Sequence, residues 1–218
     1  FSDCNALKKV EFEDGITYIS AQKPYSDADY CSVFGRDSNI EEVILPKTLK
    51  IIGAGTFYNC RKLKTVQIPE GVVVIGREAF YHCEVAKLKI PKLVKIVGPH
   101  AFYYCKNLNN VFLPNKIYVG GPYRSYDVIN GDIPEVMEIG GNAFHGCESL
   151  ENIVLPTEIT NTSIYPPNAN VISYIIDKCF EFTPMYHRKN KKTCIYCGGE
   201  FKGFLTKTCS VCGKNKNY

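Results

Sequence analysis

A curved solenoid of stacked coils, followed by a small cysteine-rich module, is the fold class this sequence predicts, and three observations predict it. One string of residues recurs in frame over roughly three quarters of the chain. Each copy holds a short stretch of period-two alternation, as a strand requires, and most copies close it with a proline. The last 25 residues carry two Cys-x-x-Cys pairs and little apolar surface of their own to bury.

The clearest copy runs Phe57, Cys60, Leu63, Val66, Ile68, Pro69, Ile75, Gly76, and it is followed 23 residues later by Phe80, Cys83, Ala86, Leu88, Ile90, Pro91, Ile96. That second copy is one residue shorter between its Cys and its Pro. Further copies run Phe102, Cys105, Leu108, Val111, Leu113, Pro114 and Phe144, Cys147, Leu150, Ile153, Leu155, Pro156. Upstream, Phe34, Ile40, Val43, Leu45, Pro46 keep the frame with Asp37 at the cysteine position, and Phe1, Cys4, Leu7, Val10, Phe12 keep it with Glu13 in place of Pro. These six copies are spaced unevenly. The residues from Pro122 to Gly140 contain Ile133, Pro134, Val136, Ile139 and Gly140, the back half of a copy, and read as a seventh, eroded repeat. An insertion near Gln22 to Tyr30 matches nothing and reads as a protruding loop with Tyr25 and Tyr30 at its tip.

Each element follows from its residues. Leu63, Val66 and Ile68 keep the spacing L-x-x-L-x-L, whose last two members alternate as a strand with both side chains inward. Pro69 has no N–H to donate, so the chain leaves the sheet there. Gly76 lets the backbone bend again before Phe80, whose ring is expected to fill the opposite side of the coil. A coil of about 23 residues cannot bury its own apolar face, so copies must stack and draw their stability from neighbours. Cys60, Cys83, Cys105 and Cys147 recur at one position. A ladder of small buried side chains is favoured over disulfides there, because recurrence at an inward position is a packing signal. Cys4, Cys31 and Cys179 are left unassigned.

Repeats of the form A-F-x-x-C-x-x-L-x-x-V-x-I-P, seen at Ala79-Phe80, Ala101-Phe102 and Ala143-Phe144 with the Cys and Pro that follow, resemble the BspA-type leucine-rich repeats. The resemblance implies a leucine-rich-repeat solenoid, curved, with a parallel β-sheet on its concave side and a mostly irregular or short-helical convex side. It further implies non-enzymatic protein binding or adhesion, often at the surfaces of host-associated microbes. Residues 1–160 are assigned to the repeats, 161–186 to a C-terminal cap, 187–193 to a basic linker and 194–218 to the terminal module. Pro166-Pro167 and the apolar run Val171 to Ile176 are expected to close the open end of the stack as a strand and cap.

In a stacked parallel sheet the outward strand positions form one continuous surface, and there a partner would sit. These positions include Glu42 and Ile44, Thr65 and Gln67, Lys87 and Lys89, Asn110 and Phe112, Asn152 and Val154. The surface is mixed in charge, unlike the basic stripe a phosphate backbone requires. Glu42, Ile44, Gln67, Lys89, Phe112 and Val154 are the candidate partner-binding residues. Ile44, Phe112 and Val154 are apolar where solvent is expected, a mark of interaction sites as well as of ordinary strand propensity. An aromatic anchor such as Phe112 is a common centre of binding energy.

Cys194-x-x-Cys197-Gly-Gly and Cys209-x-x-Cys212-Gly form two matched knuckles separated by eleven residues. Four thiolates at about 2.3 Å make a closed tetrahedral zinc site with no position open for catalysis. Gly198 and Gly213 follow each knuckle where a left-handed backbone is often needed. Metal binding then supplies folding energy that a module of this size cannot draw from burial. The arrangement resembles the short zinc ribbons appended to many bacterial proteins, although its spacer is shorter than the familiar one. A redox dithiol is the competing reading.

The net charge of +4 is unevenly placed: residues 187–218 hold eight Lys/Arg against one Asp/Glu. His187, Arg188, Lys189, Lys191 and Lys192 lead into the ribbon, so the alternative function is a basic ribbon that binds nucleic acid or an acidic protein surface, with the repeats as scaffold. Histidines 82, 100, 145 and 187 are scattered, and no phosphate loop or nucleophile motif accompanies them, so no enzymatic activity is expected. No run approaches the roughly 20 apolar residues of a membrane span. Thiolate zinc and reduced ladder cysteines favour a reducing compartment, whereas the family resemblance favours a cell surface.

Overall fold

The computed structural model describes residues 4, 6–21, 32–34, 38–85, 88–113, 116–119, 137–154, 158–160, 179–191, 193–195, 199–202, 208–212 and 214. Two series of strands alternate along the chain. The first arises from the Leu-x-x-Val-x-Ile segments and comprises β1 (Lys9–Glu11), β3 (Glu42–Ile44), β5 (Thr65–Val66), β8 (Asn110–Phe112) and β11 (Asn152–Val154). The second comprises β2 (Tyr18–Ile19), β4 (Ile51–Ile52), β6 (Val74–Ile75), β7 (Ile96–Val97), β9 (Lys116–Val119), β10 (Met137–Ile139) and β12 (Glu158–Thr160). Every pair within these series is parallel, and equivalent residues face one another. Val10 pairs with Val43 and Val43 with Val66, as Ile51 pairs with Val74 and Val74 with Ile96.

The side of the coil away from the first series was expected to be irregular or short-helical. Among the described residues it instead carries a seven-stranded sheet in the order β12-β9-β10-β7-β6-β4-β2. The β-branched pairs Ile51-Ile52, Val74-Ile75 and Ile96-Val97 suit a strand, and the glycine after each lets the layers close. A Cβ on Gly76 would lie 2.7 Å from the backbone nitrogen of Ala54, and one on Gly98 would lie 2.5 Å from that of Arg77. These glycines therefore serve close stacking of adjacent coils. The irregular part is the turn around each Phe, where two residues per coil adopt positive φ: Glu78 and His82 about Phe80, His100 and Tyr104 about Phe102.

Six phenylalanines form a single column. Phe34, Phe57, Phe80, Phe102, Phe144 and Phe180 stack in that order with ring centroids 5.6, 5.0, 5.2, 5.3 and 5.0 Å apart. The apolar cluster around them runs from Ile19 through Ile153 to Cys179, Phe180, Met185 and Ile195, so the coils share one interior.

Three features bear on the sequence reading. Phe102 stacks directly on Phe144 and β8 pairs directly with β11, and residues 122–136, most of the stretch read as an eroded repeat, lie outside the described residues. Among the described residues of that stretch, β10 enters the stack as the back strand of the coil begun by Phe102, and β9 extends the same sheet beyond it. In the shortened copy the buried side chain is Val85, 1% exposed, while the expected Ala86 lies outside the described residues. No strand is formed at Leu88 to Ile90, so the front series divides into the sheets β1-β3-β5 and β8-β11. Finally, Phe180 is a further member of the column. The residue three places on, where other copies have Cys, is Thr183. Its hydroxyl donates to the Phe180 carbonyl at 2.7 Å and accepts from the Tyr186 N–H at 3.3 Å, capping α1 (Pro184–Asn190). The helix thus includes residues 187–190, which the sequence reading assigned to a linker. The insertion at 22–30 and the run 171–176 lie outside the described residues.

Candidate binding face and metal centre

The outward positions of β3 and β5 line a groove of about 510 Å³ together with the turns that leave them. Glu42, Ile44, Thr65 and Gln67 come from the strand segments, and Lys47, Pro69 and Glu70 from the turns. The groove exists because Pro46 and Pro69 end their strand segments at the same height in successive coils, leaving a recess between parallel turns. Ile44 is half-buried here and Gln67 is exposed. Ion pairs between coils fix the charged rim. Lys9 meets Glu42 at 3.2 Å, Lys89 meets Glu70 at 2.7 Å, and Glu41 lies between Lys8 and Lys64 at 3.7 and 3.8 Å. All are exposed pairs, which set register and side-chain position more than stability.

Of the six residues expected to bind a partner, Glu42, Ile44 and Gln67 thus line one recess and Lys89 reaches its rim through Glu70. Phe112 and Val154 are backbone partners of one another on the separate β8-β11 sheet. Their side chains lie outside the described residues. Sequence reasoning missed Lys47, Pro69 and Glu70, which belong to turns.

It also missed a second aromatic column, on the residue after each Phe. Tyr58, Tyr81, Tyr103 and His145 stack with centroids 4.8, 5.0 and 4.5 Å apart, and the Nδ1 of His145 lies 3.2 Å from the Glu181 carboxylate. The signal was present as Phe-Tyr, Phe-Tyr, Phe-Tyr and Phe-His at equivalent places. Burial holds His82, His100 and His145 below the usual imidazole range. Arg61 and Lys106 add to this at His82, while at His145 burial outweighs Glu181.

The repeat cysteines are neutral hydrogen-bond donors. Cys83 donates its S–H to the Phe57 carbonyl at 3.0 Å, Cys105 to Phe80 at 2.9 Å and Cys147 to Phe102 at 3.1 Å, each reaching back one coil. Cys60, in the copy next to Asp37, meets the Ser32 hydroxyl at 3.3 Å. Burial pushes the thiol of Cys60 up to about 11 and that of Cys105 to about 12, and raises Cys83 and Cys147 well above the ordinary thiol value. Cys179 occupies the place of Ala79 in its coil, is fully buried, and is likewise pushed to about 12. Cys4 is exposed, and Cys31 lies outside the described residues.

The C-terminal cysteines are arranged differently. The antiparallel pair β13 (Phe201–Lys202) and β14 (Thr208–Cys209) brings the two knuckles together. The sulfurs of Cys194, Cys209 and Cys212 all lie within 4.8 Å of one another, with Cys194 and Cys212 3.6 Å apart. Sulfurs about 2.3 Å from a common tetrahedral ion stand about 3.8 Å apart, so this set fits a thiolate-bound metal. The N–H of Val211 donates to the Cys209 sulfur at 3.4 Å, as expected of a bond that orients a ligand thiolate. A Cβ on Gly199 would fall 2.9 Å from that sulfur, so only glycine leaves room for the knuckle to close. Cys197 lies outside the described residues. Ile195, between the knuckle cysteines, is fully buried and ties this module to the solenoid core.

Comparison with known proteins follows the repeats. The profile of the BspA type leucine rich repeat region matches residues 30–124 and 123–166, in six copies. No curated protein matches the chain. Among solved structures, a leucine-rich repeat protein from Bacteroides ovatus ATCC 8483 is similar over 74% of this chain, with 16% identity and a TM-score of 0.40. The similar region spans 62% of that protein's length.

Proposed function

The chain belongs to the BspA type leucine rich repeat family, a class of repeats that generally serves protein interaction, and on that premise we propose that it binds a protein partner through the outward face of its front strands. The observation that carries this reading is the groove between β3 and β5, where a half-buried isoleucine, a glutamine and two glutamates line one recess. Ile44 supplies an apolar contact, Gln67 an amide able to donate and accept, and Glu42 and Glu70 carboxylates already oriented by Lys9 and Lys89. Lys89, Phe112 and Val154 extend the face toward the later coils. No membrane-crossing helix occurs among the described residues.

Zinc has a structural role in this reading. Cys194, Cys197, Cys209 and Cys212 would hold it, and the four thiolates leave no site for substrate. The metal supplies folding energy to the terminal module, and Ile195 anchors that module on the solenoid.

The test is capture of partners from cells of the source organism on immobilised chain, with the wild type and Ile44→Glu/Gln67→Lys compared. Proteins retained by the wild type should be lost from the folded variant. An unchanged retained set would reject the groove as the contact. Elemental analysis of the purified chain should find one zinc per molecule, and none in Cys209→Ser.

A further inference from the structure

The turn after the repeat cysteine is built one way in three coils and another way in a fourth. In the copies of Phe57, Phe102 and Phe144 the N–H of the residue after the cysteine bonds back two residues: Arg61 to the Asn59 carbonyl at 2.8 Å, Lys106 to Tyr104 at 2.9 Å and Glu148 to Gly146 at 2.9 Å. The Phe80 copy is the one shortened between its Cys and its Pro, and it lacks this bond. Among the described residues no acceptor meets the Glu84 N–H. Beside this break lies a recess of about 220 Å³, lined by Arg61 from the coil before, Lys106 from the coil after, and His82, Glu84 and Tyr104. It shares no residue with the β3-β5 groove.

The lining is cationic and rich in donors. Among the described residues Arg61 meets no carboxylate within ion-pair distance, so its guanidinium fork is free. Lys106 pairs with Glu148 at 3.1 Å and lies 5.8 Å from the centre of the Tyr104 ring. Positive φ at His82 and Tyr104 turns both rings to one wall, where they stack 5.0 Å apart. Glu84 is the one acid among the described lining residues, and its side chain is exposed. We propose that this recess is a second binding site, which takes a phosphate-class dianion: inorganic phosphate, or the phosphate group of a small monoester. Arg61 engages two of its oxygens as a fork, Lys106 supplies a point charge, and the Glu84 N–H donates as backbone N–H groups commonly do to phosphate. His82 donates a ring N–H from the wall.

Charge on the ring follows from its neighbours. In the empty recess burial, Arg61 and Lys106 together hold His82 below the usual imidazole range. Glu84 and Tyr104 also face it, and Tyr81 and Tyr103 pack beside it. A dianion set between the two cations offsets their repulsion, so binding draws a proton onto His82. A carboxylate brings one charge and two oxygens to the same donors, and acetate is therefore the discriminating control.

Isothermal titration calorimetry of the full chain with sulfate, inorganic phosphate, O-phosphoserine and acetate tests the proposal. Sulfate and phosphate should bind with a Kd on the order of a millimolar or tighter, and acetate about tenfold more weakly. O-phosphoserine that binds more tightly than phosphate assigns the site to a monoester, and the reverse order assigns it to the free anion. Arg61→Gln should weaken sulfate binding about tenfold or more, and Glu84→Gln should strengthen it. Both side chains are exposed, and circular dichroism checks that each variant keeps its fold. By nuclear magnetic resonance the His82 ring should titrate at higher pH in sulfate than in chloride, and Arg61→Gln should abolish that difference. No binding of either dianion would overturn the proposal. Binding indifferent to Arg61→Gln, acetate that binds as well as phosphate, or a His82 titration that sulfate does not move would overturn it equally.

Discussion

Cysteine does opposite work in the two regions of this molecule. In the solenoid Cys83, Cys105 and Cys147 are spread at one per coil, buried, protonated, and bonded to a carbonyl of the preceding coil. In the terminal module three sulfurs converge within 4.8 Å, an arrangement that neutral thiols have no reason to adopt and thiolates on a metal do. The difference shows how each region is held. The coils from Phe57 to Phe144 are held by the ring column, by thiols bonded between coils and by parallel strand pairing. Among its described residues the terminal module has two two-residue strands and one buried aliphatic anchor, so the proposed metal would supply much of what holds it.

The largest effect expected is therefore metal removal. Chelation, or Cys209→Ser, should unfold the ribbon alone, forfeiting about 10 kcal/mol or more of metal-linked folding free energy. The far-ultraviolet signal of the stacked sheets should persist, with hydrogen exchange rising only from about residue 193 onward. Next comes Phe102→Ala, which removes a fully buried ring between Phe80 and Phe144. It should cost about 3–5 kcal/mol in denaturant unfolding and leave zinc stoichiometry unchanged. Cys105→Ala, which deletes one thiol donor and a little buried volume, should cost about 1–2 kcal/mol. Thr183→Ala should cost about 1 kcal/mol and speed exchange in α1 specifically.

The smallest effect is acidification of the metal-free chain. Burial depresses His82, His100 and His145, so the unfolded chain binds more protons than the folded one below an unfolded value of about 6.5. Stability should be full above that pH and fall as pH drops through the lower folded values. His100→Asn should flatten the dependence, and Asn142 already occupies the equivalent position at positive φ. A solenoid Tm that rose between pH 7 and pH 5 would contradict the burial of these rings.

Much of this was legible because a repeat places one residue type at one place. The frame of Phe57, Cys60, Leu63, Val66 and Ile68 located the ring column, the thiol ladder and the front strands. Its outward neighbours supplied Glu42, Ile44 and Gln67, three residues of the groove. Lys47, Pro69 and Glu70 were not legible, since a recess between turns depends on how coils align. The back sheet was missed because a two-residue strand such as Ile51-Ile52 shows no alternation to read. Phe180 was missed because its copy replaces the cysteine with Thr183 and continues as a helix. Ile139, read as part of the back half of an eroded repeat, ends the back strand β10, which joins the coil begun by Phe102. The clustering of Cys194, Cys209 and Cys212 was suggested by the two local Cys-x-x-Cys pairs alone, because each pair is local in sequence.

Thiol alkylation read by mass spectrometry, on native chain before and after chelation, probes both kinds of cysteine at once. Cys60, Cys83, Cys105, Cys147 and Cys179 should stay unmodified in both samples, while Cys194, Cys209 and Cys212 should be protected with metal bound and modified once it is removed. Ladder cysteines that react as readily as those of the chelated ribbon would contradict a shared, closed interior for the coils.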